Sequence, residues 1–392
     1  MVKRLSTLNS NSRTTPPPDR ILHDSFISIR PYFSDNQKIN LNSMPALLGV
    51  LFHFIGGFAS GSFYLPYKKV KGWAWESYWI AGGIFSWLFV PFLAAYLTVP
   101  DFMNIIRQAD SSTTFWTYFM GLLWGIGGLT FGLAMRYLGM SLGMSVALGF
   151  TSAFGALVPP IYRDLTGVEK GSFSAMLNTT GGLIVLAGVV VCLIGIAICA
   201  KAGMLKEKEL TSEQKTESIK EFNLTKGLLV ATVSGILSAC FNYGIEAGKP
   251  MAEVAIQNGA NSLFQNNVIF VVILWGGLTT NFIWCMILNA KNKTFGDYTN
   301  SKTPLTSNYI FSALAGTTWF LQFFFYGMGE SRLGNGASSW ILHMAFIILI
   351  SNMWGIITNE WKGVSKKTFS TIIAGIAVII LSVIIVGYGN SL

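Results

Sequence analysis

Apolar runs of about twenty residues, separated by short polar links, recur along nearly the whole chain. Ten of them stand out, at roughly 44–65, 78–99, 115–137, 143–162, 179–200, 227–246, 263–289, 310–329, 338–357 and 370–389. A helix needs about 20 mostly apolar residues to cross a hydrocarbon core of about 30 Å, and in lipid its backbone groups must bond within the segment. The pattern therefore predicts an all-α integral membrane protein with ten transmembrane helices. Very short links at 139–142 and 331–336 predict tight antiparallel hairpins between helices three and four and between eight and nine. Beyond the polar stretch 1–43, the most polar segment is 201–226, a mixed Lys/Glu run at the midpoint of the ten runs. It reads as a cytoplasmic linker between a first repeat at 44–200 and a second at 227–392.

The two halves resemble each other. Gly49 followed by Gly57-x-x-Ser60-x-x-Phe63 matches Gly227 followed by Gly235-x-x-Ser238-x-x-Phe241, in the first helix of each half. Trp124-x7-Gly132-x5-Leu138-Gly139 matches Trp319-x7-Gly327-x5-Leu333-Gly334, in the third helix of each half. With five helices per half, the odd number inverts the second copy in the membrane. The pattern predicts a 5+5 inverted repeat, and inverted repeats are the usual architecture of alternating-access transporters, with the substrate held where the halves meet.

Composition sharpens the class. Only 11% of the residues are charged, where a soluble domain carries about 25%. The 41 glycines suit close helix contacts in lipid. Cys192, Cys199, Cys240 and Cys285 all fall inside apolar runs and read as small core residues. The net charge of +9 is dispersed over short loops, which excludes a nucleic-acid-binding domain. The loops after helices one, three, five, seven and nine hold sixteen Lys and Arg, against five in the opposite loops. The positive-inside rule makes the first set cytoplasmic and both termini external, in a multi-pass protein of the cell inner membrane. Residues 1–43 are polar, contain Pro16-Pro17-Pro18 and lack the apolar core of a signal peptide. Two readings stand for them: a disordered tail, or a mis-called start upstream of a true one at Met44.

Polar side chains inside the runs are few, and each costs at least about 2.5–3.5 kcal/mol to insert when ionised. His53 lies mid-helix in the first run, and His343 lies one turn after Trp340 in the ninth. Either imidazole can bond a neighbouring helix, or can pick up and release a proton near neutral pH. Gln322, Asn242, Asn281, Thr151 and Ser152 lie inside other runs, whereas Glu246 and Glu330 close helices six and eight, within reach of water. Trp319 and Tyr326 flank Gln322; these aromatics either pack the core or stack on the CH faces of a neutral sugar whose hydroxyls pair with amides. No run carries the Arg/Lys cluster that a phosphorylated substrate needs. Paired intramembrane carboxylates, metal-ligand spacings and a phosphate-binding loop are all missing from the sequence, which argues against an enzyme, a metal site or a cofactor.

Longer strings point to a family. Phe63-Tyr64-Leu65-Pro66-Tyr67-Lys68-Lys69-Val70-Lys71-Gly72-Trp73 resembles the signature after the first helix of the L-rhamnose/proton symporters, in the drug/metabolite transporter superfamily. So do Trp124-Gly125-Ile126-Gly127 with Ala134-Met135-Arg136-Tyr137-Leu138-Gly139, then Trp319-Phe320-Leu321-Gln322, and Ser339-Trp340-Ile341-Leu342-His343. The resemblance runs from Met44 to the C-terminus. It implies ten helices in a 5+5 inverted repeat, with L-rhamnose and protons as the transported partners. It also implies a start near Met44, from which the stretch 1–43 departs. His53, Gln322, Trp340 and His343 stand in the family's motif strings; Glu246 and Glu330 do not. The expected sugar contacts are Gln322, Trp340 and Asn242, with Trp319 and Tyr326, and proton coupling is expected at His53 or His343. The competing expectation is a transporter of the same fold with another 6-deoxy sugar or a small metabolite as its substrate. Gly57-x-x-x-Gly61 and Gly128-x-x-x-Gly132 suit contacts within or between chains, leaving the oligomeric state open.

Overall fold

A computed structural model describes residues 43–138, 140–209, 223–357 and 361–392. All regular structure among the described residues is helical. In chain order the α-helices are α1 Ser43–Ser62, α2 Tyr64–Tyr67, α3 Trp75–Ile84, α4 Val90–Thr98, α5 Phe102–Gln108, α6 Ser111–Leu138, α7 Met140–Leu165 and α8 Phe173–Leu177. They continue as α9 Thr180–Glu209, α10 Leu224–Gln257, α11 Asn267–Asn292, α12 Leu305–Leu333, α13 Gly336–Ile357 and α14 Lys366–Gly389. Eight helical segments among the described residues are long and apolar enough to cross a membrane. The other two of the ten expected runs form α7 and α12, of 26 and 29 residues.

Helix ends follow local chemistry. A π-helical turn, Phe85–Phe89, joins α3 to α4. Its cause is Pro91, which has no N–H for the carbonyl of Trp87; the Val90 N–H reaches back to the Phe85 oxygen instead. Asp297, from the link between α11 and α12, accepts hydrogen bonds from the Ala74 N–H and the Ser77 hydroxyl, both at 2.8 Å, and so places an anion at the start of α3. Gly334 ends α12 in the left-handed region at φ 66°, and its N–H bonds the Glu330 carbonyl at 2.8 Å. Asn223 and Ser365 cap α10 and α14, accepting from the N–H groups of Lys226 and Thr368.

One sequence expectation is corrected. Helix six does not close at Glu246: α10 has 34 residues and runs on to Gln257, about 50 Å at 1.5 Å per residue, so it overshoots the bilayer core. Within the segment 201–226, α9 continues to Glu209 and α10 begins at Leu224; Lys and Glu have high helix propensity. Residues 210–222 lie outside the described residues, as does the stretch 1–42. Beyond the membrane, Glu209 accepts from the Ser365 and Thr368 hydroxyls, each at 2.6 Å, and these bonds hold its carboxyl below the usual range.

Helices approach each other through glycine. A Cβ on Gly121 would lie 2.0 Å from the Ile273 carbonyl oxygen, and one on Gly276 2.2 Å from that of Tyr118, so α6 and α11 touch backbone to backbone. A Cβ on Gly316 would lie 2.0 Å from the Gly82 oxygen, joining α12 to α3 in the same way. Gly49 in α1 lies under Leu333 of α12, and Gly227 in α10 lies under Leu138 of α6. Gly57 meets the Cβ of Phe346, and Gly235 meets that of Phe150. The ring of Phe63 sits 4.1 Å from that of Trp319, and Phe241 sits 5.1 Å from Trp124.

Candidate functional site

The polar residues of α1, α10, α12 and α13 meet in one cluster beside α7. Helix α1 presents His53, and Gly329 of α12 leaves it room: a Cβ there would lie 2.6 Å from Nε2. Gly56 does the same for His343, whose Cε1 would be 3.2 Å from an added Cβ. The ring centroids of His53 and His343 are 6.0 Å apart, and each lies 5.3 Å from that of Tyr326. Trp340 stands edge-on to Tyr326 at 6.0 Å. Its indole lies over Gly155, where a Cβ would come within 2.0 Å of Nε1, and it donates to the Thr151 carbonyl at 2.9 Å.

A backbone defect in α7 holds the centre of the cluster. Pro159 has no N–H to give the carbonyl of Gly155, and Asn242 Nδ2 donates to that oxygen at 2.8 Å. The other end of the same amide, Oδ1, accepts from the Tyr326 hydroxyl at 3.2 Å. Tyr326, Asn242 and Gly155 thus form a hydrogen-bonded chain from α12 through α10 to α7. Tyr326 keeps its oxygen lone pairs and Asn242 keeps one N–H for a further partner. Neither ring nitrogen of His53 or His343 bonds another described residue. His53, Asn242, Tyr326, His343, Trp340 and Gln322 are between 0% and 6% exposed, which closes the cluster to solvent in this conformation.

Trp319 lies apart from this cluster. It shares a face of α12 with Gln322 and Tyr326, two turns from the latter, but its ring nests among Phe63, Trp79 and Trp87 at 4.1, 5.1 and 6.2 Å. Asn281 serves that nest, accepting from Trp79 Nε1 at 3.0 Å. Thr151 and Ser152 bond carbonyls of their own helix at 2.9 and 2.7 Å.

Glu246 lies inside α10 with its side chain 19% exposed, and Glu330 lies one turn before the end of α12. Glu330 is 7% exposed and accepts from Asn266 Nδ2 at 2.5 Å. Arg163 binds the carboxylate of Glu246, and Lys249 Nζ lies 2.7 Å from Glu246 and 3.8 Å from Glu330. Two faint signals precede this cluster in the sequence. Glu246 and Glu330 each fall four residues after a site residue, Asn242 and Tyr326, and Pro159-Pro160 interrupts a helix.

Helices with buried polar side chains and membrane-crossing length, closed around a sealed hydrogen-bonding cluster, define a polytopic membrane transport protein. Residues 42–391 match the family described as L-rhamnose-proton symport protein. An L-rhamnose-proton symporter of Yersinia pestis (strain Pestoides F) is 40% identical over 348 residues, 88% of this chain and 98% of that protein. One from Cronobacter sakazakii (strain ATCC BAA-894) is 39% identical over 347 residues, 87% of this chain and 97% of its own length. The chain belongs to the L-rhamnose-proton symporter family.

Proposed function

We propose that this protein imports L-rhamnose with protons across the inner membrane, by alternating access between two inverted five-helix halves. The observation that carries the reading is the sealed cluster of Asn242, Tyr326, Trp340, His53 and His343, inside the bilayer of a chain from this family. The sugar would take hydroxyl contacts from Asn242, Tyr326 and Gln322 and stack a CH face on Trp340. Trp319, two turns deeper, would receive it on the way inward. The proton would be shared between His53 and His343. Two charged imidazoles about 6 Å apart repel by about 3 kcal/mol at an effective dielectric of about 20, so the pair suits one proton at a time. A bound sugar and proton shift the inward/outward balance only by binding the two states differently.

The inverted repeat, with α7 and α12 completing ten spans, is supported by contacts that exchange between the halves. Gly49 meets Leu333 while its sequence match Gly227 meets Leu138, the match of Leu333. Phe63 meets Trp319 while its match Phe241 meets Trp124. The same exchange relates Gly57–Phe346 to Gly235–Phe150 and Gly316–Gly82 to Gly121–Gly276.

The test is uptake of labelled L-rhamnose into proteoliposomes, with and without an imposed proton gradient, by the full chain and by residues 44–392. Accumulation that a protonophore collapses is the expected outcome. Competition by other unlabelled 6-deoxy sugars at lower concentration than L-rhamnose would reassign the substrate. His53→Ala is expected to abolish concentrative uptake yet spare counterflow exchange; a variant that still concentrates sugar would remove the coupling role of His53.

A further inference from the structure

One turn beyond the sugar-site residues lies a second layer of side chains with which the transport chemistry has so far had no business. Glu246 follows Asn242 by one turn on α10, and Glu330 follows Tyr326 by one turn on α12. The two helices are therefore tied twice: by Tyr326–Asn242 at 3.2 Å in the site, and by Lys249 between the two carboxylates above it. Arg163, at the end of α7, adds the fourth charge by binding Glu246, and its Nη1 also donates to the Lys170 carbonyl at 2.5 Å. Asn266 holds the other Glu330 oxygen. At the start of α13, a Cβ on Gly336 would lie 3.1 Å from Glu246 Oε1. Two cations and two carboxylates balance, and the side chains of Arg163, Glu246, Lys249 and Glu330 are 21%, 19%, 32% and 9% exposed. This layer therefore stands between water and the sealed cluster.

The other end of the molecule is built differently. In the register of the contacts that exchange between the halves, His53, Tyr326 and His343 correspond to Ala231, Phe131 and Ala147. Ala231 and Ala147 are wholly buried with Ala134 and Leu138, and Phe131 packs against them. A small apolar plug stands where the first end has imidazoles and a phenol.

We propose that Arg163, Glu246, Lys249 and Glu330 form an ionic gate over the sugar site, at the outer face of the membrane, and that Glu330 is a positioning residue for the Tyr326–Asn242 pair. The proposal rests on the transporter reading given above. Within it the four residues divide their work. The Arg163–Glu246 bond ties α7 of the first half to α10 of the second and must break for the outer mouth to open. The Lys249 bridge ties α10 to α12 within the second half and persists, keeping the Tyr326 hydroxyl on the Asn242 amide while the halves part.

The experiment reads the gate directly. Cys192, Cys199, Cys240 and Cys285 are replaced by Ala, and Ser339→Cys is introduced as a reporter. Ser339 is wholly buried on α13, one turn inside Gly336. Right-side-out and inverted vesicles are treated with a membrane-impermeant methanethiosulfonate, and the labelling rate is measured. Arg163→Ala and Glu246→Gln are expected to speed labelling from outside at least tenfold. Exchanging the two charges, Arg163→Glu with Glu246→Arg, should return it to the reporter's own rate, which a variant that merely misfolds would not do. Glu330→Gln should leave the labelling rate alone and raise the KM for L-rhamnose. Equal labelling rates in all the variants, acceleration that the exchange fails to reverse, or acceleration only from the cytoplasmic face would each overturn the gate. Counterflow of L-rhamnose in the same vesicles separates the two readings. Its absence in the reporter chain removes the substrate assignment, while the labelling pattern still decides the gate.

Discussion

Asn242 spends its amide in two directions, on the carbonyl that Pro159 leaves without a donor and on the Tyr326 hydroxyl. Buried polar groups in lipid must be paired or they cost several kcal/mol, so the proline and the asparagine explain each other. Removing the Tyr326 hydroxyl leaves Asn242 Oδ1 without that donor and removes a polar group from the proposed sugar site. A net hydrogen bond is worth about 1 kcal/mol and an orphaned partner about 1–3. Tyr326→Phe is therefore expected to raise the KM for L-rhamnose about tenfold in proteoliposome uptake, with the protein still folded; an unchanged KM would place the sugar elsewhere. At this scale the sequence was partly legible. His53, His343, Trp340, Asn242 and Tyr326 stand out as polar or aromatic positions in apolar runs, and they do meet. Trp319 stands out equally and lies apart, because its partners Trp79 and Phe63 are brought to it by other helices.

Helices in lipid have little hydrophobic drive to associate, so close approach through small residues does the work. Gly276 and Gly128 give opposite predictions on that basis. A Cβ on Gly276 would meet the backbone of Tyr118 at 2.2 Å, which no side-chain rotation relieves, whereas one on Gly128 meets nothing within 4 Å. Gly276→Ala should destabilise the protein by about 1–3 kcal/mol or more, as overpacking does, and lower its melting temperature in detergent. Gly128→Ala should be neutral or stabilising by about 0.5–1 kcal/mol, through reduced chain entropy. Element existence was legible from the apolar runs, because each span must satisfy its own backbone. Element ends were less so: α10 outruns its apolar run by more than two turns, and Pro91 turns one expected helix into α3, a π turn and α4. The short α5 and α8 lie in polar links, and no apolar run announces them.

Across the whole molecule, orientation follows from charge outside the bilayer. On the proposed ten-span reading, with the Lys-rich link between α11 and α12 on the cytoplasmic side, the three spans that follow it would leave α14 ending outside. A cysteine placed at Leu392 should react with an impermeant thiol reagent on intact cells once the outer membrane is permeabilised. Reaction only in inverted vesicles would reverse the topology and overturn the proposed gate at the outer face. The proposed inverted repeat accounts for the difference between the proposed ionic gate and the cluster of Ala134, Ala147 and Ala231: the halves would share a backbone plan and differ in the side chains on it.

By itself the sequence determined the class and the family: helix-length apolar runs, little charge, basic links on alternate sides, and long signature strings. These are properties of one segment at a time, and the bilayer imposes them on each segment separately. Only the tertiary structure decided which scattered polar residues come together in one cluster. Arg163, Glu246 and Glu330 lie far apart along the chain and become one cluster because α7, α10 and α12 converge. Likewise the carbonyl left free by Pro159 acquires meaning only when Asn242 arrives from another helix. Such contacts depend on how helices cross and on which glycines let them touch, and residue spacing within a single helix carries no record of either.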